Sequence, residues 1–152
     1  MLSILIKNLE FYKLIWLIRL YLLLMAVVYG AIGVWALLDP FLNALELGYP
    51  SFLNAVGLSI SSPIGYSEIA GLYGGLNFFI GLMCIVGIFK KNIGIFSIKF
   101  ITFLVGSIAT GRVLFSLFPS APDFFSYIFL FEVCTFLVGL FFLIYMRLNQ
   151  TT

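Results

Sequence analysis

IGIFSIKFITFLVGSIATGRVLFSLF, residues 93 to 118, decides the class of this protein. A helix needs roughly 20 consecutive apolar residues to cross a hydrocarbon core of about 30 Å, and this stretch supplies them with only Lys99 and Arg112 charged. Leu14 to Leu38, Ser67 to Phe89 and Phe124 to Met146 read the same way. The sequence therefore predicts an all-α, integral membrane four-helix bundle, with residues 1–152 forming a single transmembrane domain.

Composition leads to the same class independently. Hydrophobic residues make up 63% of the chain and charged residues 9%, with no histidine, and the mean hydropathy is +1.20. These values lie far outside the range of a soluble globular domain. Such a chain is too apolar to leave a tail of disordered composition. Its Lys and Arg residues form no basic stripe, which excludes a nucleic-acid partner.

The breaks between spans are chemically distinct. Asp39-Pro40 is expected to end the first, Lys90-Lys91-Asn92 to separate the second from the third, and Pro119 to Asp123 the third from the fourth. The first span follows Lys7, Lys13 and Arg19 as a signal peptide would, but it is too long for one and reads as an uncleaved anchor. Lys7, Lys13, Lys90, Lys91 and Arg147 fall on one side, whereas the opposite loops carry Asp39, Glu46 and Asp123 and no Lys or Arg. By the positive-inside rule both termini are cytoplasmic. Arg19 and Lys99 reach the headgroups by snorkelling.

The only long connection, the outer loop 39–66, repeats a motif. PFLNALELGY is followed by PSFLNAVGLS, each opened by proline and each carrying FLNA. They read as one or two short amphipathic helices at the outer interface that lid the bundle.

Arg112 and Glu132 are the charges that lie deep. At about 1.5 Å per residue, Arg112 sits about 9 Å below the outer end of its span and Glu132 about 13 Å below the outer end of the next. A lone charge near the bilayer centre costs about 2.5 to 3.5 kcal/mol, and a short connection makes these helices antiparallel neighbours, so an Arg112–Glu132 pair is expected. Val105, Ile108, Ala109 and Ser116 share a face with Arg112, as Ile128, Thr135 and Gly139 do with Glu132. In the second span GLYGGLNFFIG and the turn after it place Tyr73, Gly74, Asn77, Gly81 and Cys84 on one side. The expected outer-half polar cluster is Tyr73, Asn77, Arg112 and Glu132, with Tyr29 and Glu68 as outer members, Glu68 falling on the face opposite Asn77. Gly71, Gly74, Gly75, Gly81 and Gly111 are expected at close helix contacts. Two uses of the cluster stay open: it fixes which helices pair and in what register, or it lines a cavity that binds a ligand or relays a proton.

LYGGLN at 72 to 77, GR at 111 to 112 and an acid within the last span, Glu132, resemble the bacterial four-helix membrane proteins of domain-of-unknown-function family 4345, over roughly Leu20 to Met146. More distantly, the four-span layout is similar to the DoxX-like small membrane proteins. The first resemblance implies a bacterial cytoplasmic (inner) membrane protein with Tyr73, Gly74, Gly75, Asn77, Gly111, Arg112 and Glu132 as signature positions, and no assigned reaction. The second implies an accessory subunit.

Without histidine, and with Cys84 and Cys134 as the only cysteines, there is no ligand set for haem, zinc or an iron–sulfur cluster. No cofactor, metal or catalytic residue is expected, and an enzyme ranks below two other readings. In one, the protein is a structural or accessory membrane component that contacts membrane lipids, another membrane protein or a second copy. In the other, it is a small binding protein or transporter whose outer-half cluster holds a lipid, a quinone or another amphipathic molecule.

Overall fold

In hydrocarbon a backbone must satisfy its own N–H and C=O groups, and an apolar run does so locally only as a helix. The computed structural model has α1 (Leu2–Ala44), α2 (Phe52–Ala55), α3 (Pro63–Ile69), α4 (Leu76–Phe89), α5 (Lys91–Phe115) and α6 (Tyr127–Leu148). It describes residues 2–44, 48, 50–115 and 127–148, with side chains of the first helix described over 13–41. No strand occurs among the described residues. Among the described residues, four segments are long and apolar enough to cross a membrane: Lys13–Phe41, Pro63–Phe89, Lys91–Phe115 and Tyr127–Leu148. The protein is an all-α, multi-pass membrane chain. The expected span ends at 118 and 124, the Pro119 to Asp123 connection, Ser116 and Glu46 lie outside the described residues.

Three boundaries differ from expectation. The first helix does not stop at Asp39-Pro40 but continues through Pro40 to Ala44. A proline removes one i→i−4 bond and crowds the residue four before it, and so near a helix end that loss is confined to the last turns. The second span begins at Pro63, four residues earlier than predicted. Ser62 caps it, its Oγ accepting from the Gly65 amide at 3.3 Å, and proline occupies the first turn, where no amide is needed. Between the second and third spans the break is a single extended residue, Lys90.

The contacts divide the chain into two compact units, Met1–Gly94 and Ile95–Thr152. In the first, α1 and α4 run antiparallel at close range. A Cβ on Gly74 would lie under 3 Å from Leu37, one on Gly33 under 3 Å from the Phe78 backbone, and one on Gly81 at 2.9 Å from the Gly30 amide. Each step back along α1, from 37 to 33 to 30, matches an equal step forward from 74 to 78 to 81. This is the seven-residue seam of two helices in register. Leu22, Met25, Ala26, Tyr29 and Ala36 are buried on α1, and Ile80 and Cys84 on α4.

Only the second FLNA becomes a separate helix, the single turn α2, while the first closes the end of α1. Phe52 and Leu53 of α2 are buried with Ala36, against Ile32, Trp35, Val56, Ile60 and Ile69. The Phe52 ring meets Trp35 edge-on and Tyr73 at a tilt, both at 5.5 Å between centroids. The connection between the first two spans thus packs on the end of its own helix pair.

In the second unit α5 and α6 lie antiparallel, with Gly106 against the Phe136 ring, where a Cβ would come within 2.8 Å. Glu132, Thr135, Gly139 and Phe142 form the buried stripe of α6, which includes Thr135 and Gly139 of the face expected around Glu132, while Ile128, expected with them, is exposed.

Candidate functional site

Arg112 and Glu132 come together as a pair. Arg112 Nε donates to Glu132 Oε2 at 2.8 Å, joining α5 to α6. The two ends of this bridge differ in surroundings: the Glu132 side chain is 9% exposed and that of Arg112 46%. The carboxylate is the group that depends on the pair, because a long guanidinium side chain can reach polar surroundings and a short carboxylate on a buried stripe cannot. Every buried side-chain nitrogen and oxygen among the described residues has a hydrogen-bond partner.

The other expected members of the cluster lie in the first unit. Ala70–Gly75 forms one wide π turn between α3 and α4. A change from i→i−5 back to i→i−4 bonding passes over one carbonyl, and Asn77 supplies a donor there: its Nδ2 reaches the Tyr73 carbonyl at 2.7 Å and the Leu72 carbonyl at 3.5 Å. The Asn77 amide, expected in the polar cluster, therefore donates within its own helix. The wide turn also shifts the phase of the helix, so faces counted at a constant 100° per residue do not carry across residues 70–75. Tyr73 is partly exposed and packs its ring on Phe52. Tyr29 is buried in the α1 interior, and Glu68 is exposed on α3, which buries no residue.

The glycines sort into two sets. Gly74 and Gly81 sit at the α1–α4 seam as predicted, joined by Gly33, whose role the second-span motif did not reveal. Among the described residues a Cβ at Gly71 or Gly111 would meet nothing within 4 Å, and one at Gly75 would meet only the Ala70 carbonyl of its own turn, at 3.8 Å. Gly71 and Gly75 lie on the parts of the wide turn that face away from α1, whereas Gly74 of the same turn meets Leu37, and Gly111 of α5 is open as well.

Asp39 is the polar residue that sequence reasoning left in a loop. It is buried, its Oδ1 accepts from the Phe52 amide at 2.6 Å, and its Oδ2 lies 3.4 Å from Ser51 Oγ. Trp35 Nε1 donates to the Pro50 carbonyl at 3.1 Å beside it. An acid just before a proline and a dozen residues from a Ser-Phe helix start was the available signal. Cys84 and Cys134 are both free thiols. Among the described residues no three His, Cys, Asp or Glu side chains gather as a metal set would require.

Comparison with family models, curated proteins and solved structures returns no match to this chain.

Proposed function

We propose that this protein is a non-catalytic structural or accessory component of a bacterial cytoplasmic membrane, with both termini cytoplasmic, in which the Arg112–Glu132 pair fixes the pairing of the last two spans. The observation that carries this reading is the 2.8 Å bridge from Arg112 to a carboxylate on the buried stripe of α6. The positive-inside distribution supports the orientation. The Arg19 guanidinium lies 6.0 Å from the centre of the exposed Trp16 ring, an arrangement suited to a headgroup layer at this end of α1. The resemblance to domain-of-unknown-function family 4345 agrees with it and assigns no reaction.

One observation favours a second reading, an amphipathic ligand at the outer-half cluster. Arg112 is half-exposed and engages Glu132 through Nε, so a lipid or quinone headgroup has guanidinium donors to approach. Native mass spectrometry of the protein extracted gently from its own membrane separates the two, with Arg112→Met/Glu132→Leu as control. A protein partner retained by both forms supports the accessory reading. A discrete small amphipath on the wild type and absent from the control supports the ligand reading, and a bare chain in both samples overturns the ligand reading and leaves the pair as helix packing.

A further inference from the structure

On one side of the α5–α6 pair an open groove of about 790 Å³ runs along both helices. Its α5 side is a dip between two large residues. Phe103 and Leu114 are exposed and bulky, Ser107 and Thr110 between them are small, and all four line the groove on one helical face. Phe129 and Phe136 of α6 line the groove across from the dip. The hydroxyls in the dip are already engaged: Ser107 and Thr110 donate to the Phe103 and Gly106 carbonyls of their own helix at 2.9 and 2.7 Å. They need no further polar group, and their size lets another helix come close.

Lys99 lines the end of the groove nearer the start of α5. It is exposed, and among the described residues no carboxylate pairs with it. By helical rise it stands about 12 Å along α5 from Lys91. The snorkelling expected of it covers about half of that distance, since the stem has four methylenes, so the ammonium still lies within the span. A cation there is stabilised by an anion brought to it.

We propose that this groove docks a transmembrane helix of a second protein, one that carries an aspartate or glutamate inside its own span opposite Lys99. The proposal rests on the accessory reading above and names the surface through which it acts. Charge complementarity selects this occupant: a ridge of side chains fills the dip between Phe103 and Leu114, and the acid meets the unpaired ammonium. A lipid fits less well, because its chain would pass about 12 Å of helix from the Lys91 end before it entered the groove. A second copy brings no acid to that depth. Among the described residues Glu132 is held by Arg112 and Asp39 by the Phe52 amide, and Glu68 lies on α3, at the far end of the second span from the break that opens α5.

The test measures energy transfer in phosphatidylcholine vesicles between the labelled full chain and a labelled synthetic helix of about 23 Leu and Ala residues with lysines at both ends. One form of the helix carries a single Glu about eight residues from one end, matching the position of Lys99 in α5, and the other carries Gln there. The Glu helix should associate about fivefold more tightly than the Gln helix. Lys99→Gln should remove that difference, and Lys99→Glu should transfer the preference to a helix with Lys at the same position. Ser107→Phe, which fills the dip and leaves Lys99 in place, should abolish the association. Helicity by circular dichroism verifies each variant, and if Ser107→Phe fails to fold, the two Lys99 variants decide alone. Equal association of the Glu and Gln helices with the wild type overturns the proposal, as does a preference that survives Lys99→Gln. Self-association of the chain that Ser107→Phe disrupts and the Glu helix does not compete with overturns it in favour of a second copy. The two failures are distinct: a wild type that keeps no protein partner from its own membrane defeats the accessory reading, whereas a native partner kept equally by Lys99→Gln defeats this surface alone.

Discussion

The Phe52 amide donates to Asp39 Oδ1 at 2.6 Å, so a carboxylate in the last turns of α1 holds the connection between the first two spans onto its own helix pair. The same loop is tied a second time by Trp35 Nε1 to the Pro50 carbonyl. These two bonds place Phe52 where its ring meets both Trp35 and Tyr73. Asp39, which reads in sequence as a helix stop, is a clamp.

Asp39→Ala should therefore loosen residues 50–57 more than it disturbs α1 itself. Losing a charge-assisted bond to a buried amide costs about 1.5 to 3 kcal/mol. Hydrogen exchange of the Phe52 amide should accelerate by at least about tenfold, with exchange in α4 little changed. Asp39→Asn keeps an acceptor and should lose less than half as much. Unchanged Phe52 exchange in the alanine variant would contradict the clamp.

The two sets of glycines call for opposite outcomes from one substitution. Gly33→Ala drives a methyl group into the Phe78 backbone and should cost about 1 to 3 kcal/mol. Gly71→Ala meets open space in a helical turn and should be neutral or stabilise by up to about 1 kcal/mol. Denaturant titration of the purified protein in micelles compares the two. Similar losses at both sites would show that the seam is not where the close contact lies.

Asn77→Leu removes the donor that reaches the Tyr73 carbonyl in the wide turn. About 1 kcal/mol of stability should go with it. The turn's carbonyl stretch, isolated by isotope labelling of Tyr73, should shift to higher frequency as its hydrogen bond is lost. An unshifted band would mean that another donor takes over and that Asn77 is free to act across helices.

How far the sequence carries depends on which physical signal each feature leaves. Span number and type were legible because a membrane solvent tolerates few other patterns, and the Arg112–Glu132 pair because two deep charges of opposite sign at matching depth have few alternatives. Gly74 and Gly81 were legible as small residues on one face, but Gly33 was not, since its partner is backbone at Phe78 rather than a motif on its own helix. The wide turn at Ala70–Gly75 leaves no periodic signature, and it upset the faces counted through it. Asp39 was hidden by its neighbour: a proline after an acid signals a break, and only the fold shows the amide that the acid receives.

The bridge between α5 and α6 is tested by removing its ends separately and together. Arg112→Met leaves Glu132 unpaired on a buried stripe and should destabilise by about 2 to 3 kcal/mol. Glu132→Leu leaves a half-exposed guanidinium that can reach toward headgroups, so its cost should be smaller, about 1 kcal/mol. The double variant carries neither charge into the bilayer and should recover most of the loss, ending within about 1 kcal/mol of the wild type. This ordering, with Arg112→Met worst and the double variant mildest, follows from the unequal exposure of the two partners. A double variant as unstable as the sum of the singles would mean that the two side chains contribute independently, and that the 2.8 Å contact does not hold the helices together.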